Sequence, residues 1–190
     1  MTVAQLKIPI ISVLTAGVYD QHMSSIHDTL HQVFGLTEFR PFQQEIIQQV
    51  VSGGDAFVLM PTGGGKSLCY QLPALHRHGL GIVISPLISL MKDQVDALLA
   101  NGVRAAMYNS TLAAEEARTV LARLHNGELD LLYVAPERMM RPDFINSLEH
   151  LPLALIAIDE AHCVSQWGHD FRPEYSVLGE LRAYFPDVPF

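Results

Sequence analysis

The run Met60-Pro-Thr-Gly-Gly-Gly-Lys-Ser67 concentrates residue types that bind phosphate. Gly63, Gly64 and Gly65 let successive backbone N–H groups converge on phosphate oxygens without interference from a Cβ. Lys66 is long enough to reach the β- and γ-phosphates of a nucleotide, and the Ser67 hydroxyl can ligate Mg²⁺. The general form of such a loop begins with Gly, and Met60 stands there instead. A second group, Asp159-Glu160-Ala161-His162, follows the apolar run LALIAI. Asp159 is suited to hold Mg²⁺ directly or through water, and Glu160 to orient and deprotonate an attacking water. Taken singly, the two acids read equally as a helix cap and a solvated side chain. Beside a phosphate loop, the two groups explain each other.

Both groups need elements that bring them together. Ser24 or Ser25 can cap a helix to about Phe34 whose apolar face is Ile26, Leu30, Val33 and Phe34. Pro41 opens a second helix that ends at Ser52-Gly53-Gly54. AFVLM (56–60) is continuously apolar, which predicts a strand covered on both faces, and a helix follows from Gly65 to about His76. Further strands are expected at 81–85, 103–108, 131–135 and 153–159. Helices are expected at 87–100, 113–124 and 142–148. This alternation predicts an α/β domain with a mainly parallel sheet flanked by helices, whose ligands gather at the carboxyl ends of the strands.

Composition bounds the class. The 190 residues are 49% hydrophobic and 17% charged, with a net charge of −8. That length fits one domain with a sizeable core, and the supply of Leu, Ile and Val excludes intrinsic disorder. The two cysteines, Cys69 and Cys163, cannot make a disulfide scaffold and point to a reducing compartment. No apolar run reaches the about 18 residues of a membrane span. The acidic balance argues against a broad phosphate-binding surface and leaves room for local nucleic-acid contact. Residues 1–23 form an extension expected to be disordered, outside a domain at 24–190. Within it, Ile8–Val18 reads as a weak signal-peptide core, a stray strand or nothing, and Met23 as an alternative start.

Five separated motifs in order carry a resemblance. FGLTEFRPFQ (34–43), MPTGGGKSLCYQ, SPLISLMKDQ (85–94), YVAPER (133–138) and DEAHCVSQWGHDFRPEY resemble those of RecQ-type DNA helicases of superfamily 2, over about residues 24–190. Only the first RecA-like motor domain of that family is matched. The resemblance implies an ATP-dependent, 3′→5′ DNA-unwinding activity with ATP and Mg²⁺ as cofactors and single-stranded or partly duplex DNA as partner. It also implies a cytoplasmic (nucleoid-associated) or nuclear location and no secretion. Gln43 would read the adenine edge and Arg40 pack on the base; Leu36 stands where an aromatic is frequent, and Phe42 where Gly is. Thr62, Gly63, Gly64, Gly65, Lys66 and Ser67 would hold the triphosphate and Mg²⁺. Asp159 would be the metal ligand, Glu160 the water-activating acid, and His162 the link between ATP state and DNA.

An aromatic-rich loop would place Trp167, His169, Phe171 and Arg172 on single-stranded DNA, where aromatic faces stack on bases. The other reading makes Trp167 a buried anchor, with Arg172 paired to an acid such as Glu174. Ser85, Ser89 and Lys92 would add DNA contacts, Ser89 and Lys92 from one helix face. The family's second RecA-like domain, with its arginine finger, is not matched. The chain alone is therefore expected to be a weak or inactive ATPase. Two other classes stay open: a small-molecule kinase, which would need a lid and a set of substrate-binding arginines, and a non-catalytic nucleotide- or DNA-binding fragment.

Overall fold

The computed structural model describes residues 25–61, 63–164 and 173–190. Among them are four strands: β1 (Leu80–Ile84), β2 (Ala105–Tyr108), β3 (Leu131–Val134) and β4 (Leu153–Ile158). The helices are α1 (Ile26–Phe34), α2 (Gln43–Val51), α3 (Leu68–His76), α4 (Ile88–Ala100), α5 (Ala114–His125), α6 (Pro136–Met139), α7 (Pro142–Leu148), α8 (Pro173–Ser176) and α9 (Leu181–Tyr184). The strands form one parallel sheet in the order β2-β3-β1-β4. Ile82 of β1 lies opposite Leu132 of β3 and Ile156 of β4.

Alternation along these short apolar runs sorts side chains to two cores. Ile82, Ile84, Leu132, Val134 and Ile156 pack with Phe144 and Leu148 of α7 and Leu181 of α9. Val83, Leu131, Tyr133 and Leu155 pack with Leu75 of α3 and with Met91, Val95 and Leu98 of α4. Helices thus cover both faces of a RecA-like α/β sheet, as the strand–helix alternation predicts.

The lead-in helices are fastened to this body by a third cluster, in which Leu30 of α1 and Ile47 of α2 meet Leu68 and Leu72 of α3. Ser25 starts α1 with a reciprocal cap. Its Oγ accepts Asp28 N–H at 3.2 Å and its N–H donates to the Asp28 carboxylate at 2.8 Å, an arrangement worth about 1 kcal/mol. Arg77 ties α2 to the sheet by donating to Val50 O at 3.2 Å, Val51 O at 2.8 Å and Ala154 O at 2.7 Å. It thereby satisfies carbonyls that the helix end leaves open.

One expected strand is not found. Residues 56–60 lie outside the sheet. Ala56 N–H donates to Phe190 O and Ile156 N–H to Pro189 O, both at 2.9 Å, so Pro189 and Phe190 stand between β4 and Ala56. Beyond them no strand lies beside Phe57–Met60 among the described residues, and an unpaired backbone forms no ladder. Exposure alternates along the segment. Phe57 is 88% and Leu59 90% exposed, while Ala56, Val58 and Met60 are half-buried. The segment is covered on one side only, where its composition predicts cover on both. Other differences are at element ends: α2 begins at Gln43 rather than Pro41 and α3 at Leu68 rather than Gly65, while α6 was not anticipated. The expectation for residues 1–23 lies outside the described residues.

Candidate active site

The glycine loop joins segment 55–60 to α3. Gly63 (φ +77°) and Gly65 (φ +86°) occupy the left-handed region, which glycine enters without Cβ strain. A Cβ on Gly65 would stand 2.5 Å from Gln43 Nε2. Gly64 N–H donates to Pro61 O at 3.0 Å and closes the turn. The first turn of α3 then directs its positive end toward the loop. Lys66 Nζ donates to Met60 O at 3.3 Å. Met60 is not among the residues with positive φ, so glycine is not required there, which accounts for the departure from the general motif.

Two residues just before α2 and at its start clamp the loop. Gln43 is only 2% exposed. Its Oε1 accepts Arg40 N–H at 2.8 Å and its Nε2 donates to Gly65 O at 3.0 Å. The trans peptide places Lys66 N–H on the side away from Gln43. The Arg40 guanidinium donates to Gly63 O. Arg40 and Gln43 are therefore both held against the loop, with one amide proton of Gln43 already engaged by it. Between them Phe42 is 73% exposed at φ +69°, a conformation costing a non-glycine residue roughly 1–2 kcal/mol.

The acids hang from the paired part of the sheet. Asp159 N–H donates to Ile84 O at 2.9 Å, extending the ladder between β4 and β1. Its Oδ1 accepts Glu160 N–H at 3.0 Å, and Tyr175 Oη donates to its carbonyl at 2.9 Å. Glu160 has φ +53°, and strain of this kind clusters at functional sites. His162 Nδ1 lies 3.1 Å from Glu160 Oε2. Burial raises the pKa of the Asp159 carboxyl, against the opposing pulls of the Glu160 N–H and of Lys66.

Lys66, Asp159, Glu160 and His162 line one end of a cavity of about 580 Å³ between segment 55–60 and β4. The volume is that of a ligand site, but the remaining wall includes Ile46, Val50, Val58 and Leu155, while Gly63–Gly65, Arg40 and Gln43 do not border it. Lys66 and the acids therefore form its polar mouth, the glycine loop itself lies outside its lining, and the body is an opening in the core.

The donors suit a hard cation. Among the described residues no cluster of three His, Cys, Asp or Glu could hold a metal unaided. Mg²⁺ characteristically takes one or two carboxylates and completes its shell with water and substrate phosphate. The Asp159 carboxylate at the end of β4 and the Ser67 hydroxyl at the start of α3 are oxygen donors of that kind.

Of the proposed DNA contacts, Ser89 and Lys92 are exposed on α4, and Lys92 pairs with Asp96 one turn on. Ser85 is a correction. It is 1% exposed and its Oγ has no hydrogen-bond partner, because the end of β1 is covered, so its hydroxyl cannot meet DNA at the surface. Thr62, Trp167, His169, Phe171 and Arg172 lie outside the described residues. Tyr175, which fixes the Asp159 carbonyl, carried no expected role; its place at the end of the DFRPEY run was the available signal.

Comparison with known proteins agrees with this geometry. The chain is 55% identical over 162 residues to the ATP-dependent DNA helicase RecQ of Pasteurella multocida (strain Pm70), covering 85% of this chain and 26% of that protein. It is 56% identical over 160 residues to the ATP-dependent DNA helicase RecQ of Haemophilus influenzae, covering 84% and 26%. It is 50% identical over 169 residues to the ATP-dependent helicase SGS1 of Saccharomyces cerevisiae, covering 84% and 12%. The chain thus spans 26% of the length of the bacterial relatives. No helix among the described residues is long and apolar enough to cross a membrane. The match to the DEAD/DEAH box helicase family runs over residues 40–188, from the loop clamp through both acids, and the chain belongs to that family.

Proposed function

We propose that this chain is the ATP-binding half of a RecQ-like DNA helicase motor, acting on single-stranded or partly duplex DNA in a compartment that holds DNA. The observation that carries this is that Lys66, which follows directly on the clamped glycine loop, lines one polar mouth together with the strand-end acids Asp159 and Glu160. Thr62 and Gly63–Ser67 bind the triphosphate, Lys66 faces the β- and γ-phosphates, and Gln43 and Arg40 recognise the base. Ser67 and Asp159 hold Mg²⁺, which supplies charge neutralisation at the transferring phosphoryl group. Glu160 orients and deprotonates the attacking water, with His162 beside it. DNA is met by Ser89 and Lys92 on α4 and by Trp167, His169, Phe171 and Arg172. Unwinding further requires the second RecA-like domain that the family resemblance implies.

Single-turnover hydrolysis with protein in excess over ATP tests the assignment of the acids. Glu160→Gln should bind Mg²⁺–ATP within about threefold of the unaltered chain and hydrolyse it about 10²-fold more slowly or worse. Equal hydrolysis would move the base elsewhere.

A further inference from the structure

The core between α3, β3 and α4 contains a polar network. Gln71 of α3 is buried, and its Nε2 donates both to Tyr133 Oη of β3 at 2.7 Å and to Gln94 Oε1 of α4 at 2.8 Å. Both protons of one amide nitrogen are therefore engaged, on two different elements. Tyr133 is 1% exposed, among Val83, Met91, Val95 and Leu131. Packing gives no reason for three polar side chains here, since apolar residues of similar volume would fill the space without a desolvation cost.

A second observation stands beside the first. The Tyr70 hydroxyl is buried as well, beside the hydroxyls of Ser67 and Tyr133. It thus stands beside both the network and Ser67 at the start of α3.

The network bridges elements with separate duties. α3 follows directly from the glycine loop: Tyr70 N–H and Gln71 N–H both donate to Ser67 O, at 3.3 and 2.9 Å. α4 carries the exposed Ser89 and Lys92. A change in the orientation of Ser67 reaches Gln71 through this hydrogen bond, and Gln71 joins it to α4 within one side chain.

We propose that Tyr70, Tyr133, Gln71 and Gln94 form a positioning relay that couples occupancy of the phosphate site to nucleic-acid affinity at the exposed face of α4. It rests on the reading of both sites given above. It supplies a link separate from the one through His162 and the loop that follows it.

The test uses the 190-residue chain, Mg²⁺ with a non-hydrolysable ATP analogue, and a fluorescein-labelled oligothymidylate. DNA affinity is measured by anisotropy without and with saturating nucleotide, and the ratio of the two is the coupling factor. In the unaltered chain this factor should be about fivefold or more. Gln94→Leu and Tyr133→Phe should each bring it toward one, while nucleotide affinity alone and DNA affinity alone change by less than about twofold. Tyr70→Phe removes only a hydroxyl, so a merely structural network leaves the coupling factor unchanged, whereas the relay predicts loss of coupling in a fully folded protein. Unchanged coupling in the three variants overturns the proposal. So does an unaltered chain that binds nucleotide but shows no coupling or no DNA binding. An unaltered chain that binds no nucleotide instead overturns the phosphate site on which the relay rests.

Discussion

The two flanks of β4 differ in a way that composition does not foretell. On one side β1 pairs with it from Leu80 to Ile84, and β1 is buried throughout and β4 at Ala154, Leu155 and Ile156. On the other, Pro189 and Phe190 reach Ala56, and Phe57–Met60 then continues without a paired strand among the described residues. AFVLM is the more apolar of the two runs, yet only GIVIS contains a strand. An apolar run records a capacity to be buried, while a ladder also needs a partner's N–H and C=O groups. The active site inherits this asymmetry. Its acids hang from the paired side through the Asp159–Ile84 hydrogen bond, whereas its lysine hangs from the unpaired side and is placed by the Gln43 and Arg40 clamps.

The sharpest way to break this comparison is by truncation on each flank. Ile82→Ala, at a fully buried position, should cost about 2–5 kcal/mol of stability. Leu59→Ala, at a position 90% exposed, should stay within about 0.5 kcal/mol. Urea unfolding midpoints compare them, and equal losses would mean that residues 56–60 are packed as a central strand.

A smaller effect sharpens the clamp side. Gly65→Ala places a methyl group 2.5 Å from Gln43 Nε2 at φ +86°, and strain of about 1–3 kcal/mol is expected. Carried into binding, this weakens Mg²⁺–ATP by about 5- to 150-fold. Gly179→Ala meets nothing within 4 Å and should leave nucleotide affinity unchanged. If both variants bind alike, the clamp does not shape the loop.

The smallest expected effect is at Phe42. Phe42→Gly relieves a left-handed φ of +69°, and the larger unfolded-state entropy of glycine offsets part of the gain. A net stabilisation of about 0.5–1 kcal/mol is expected, read as a rise in Tm. A fall in Tm would show that the exposed ring makes contacts that outweigh the strain.

The features legible in the sequence were those set by local chemistry. The Ser25 cap needs only Asp28 three residues on, and the glycine loop only its own backbone. The buried runs at 80–84 and 131–134 sit inside a sheet and announce themselves by composition. The partner of residues 56–60 is a non-local fact, and so is the burial of Ser85, whose hydroxyl is closed off by the covering of the β1 end. Gln71 and Tyr133 meet across 62 residues of chain, and no spacing rule connects them. The φ of Glu160 follows from the turn that the β4 end and the Tyr175 hydrogen bond impose, and no glycine marks that position.

The account depends most on the glycine loop being a nucleotide phosphate site. Isothermal calorimetry of Mg²⁺–ATP against the unaltered chain and Lys66→Ala tests this directly, with matched melting curves to show that both are folded. Loss of a charge-assisted contact worth about 2 kcal/mol predicts binding about 30-fold weaker or undetectable in the variant. Equal affinity in two folded proteins would contradict the account.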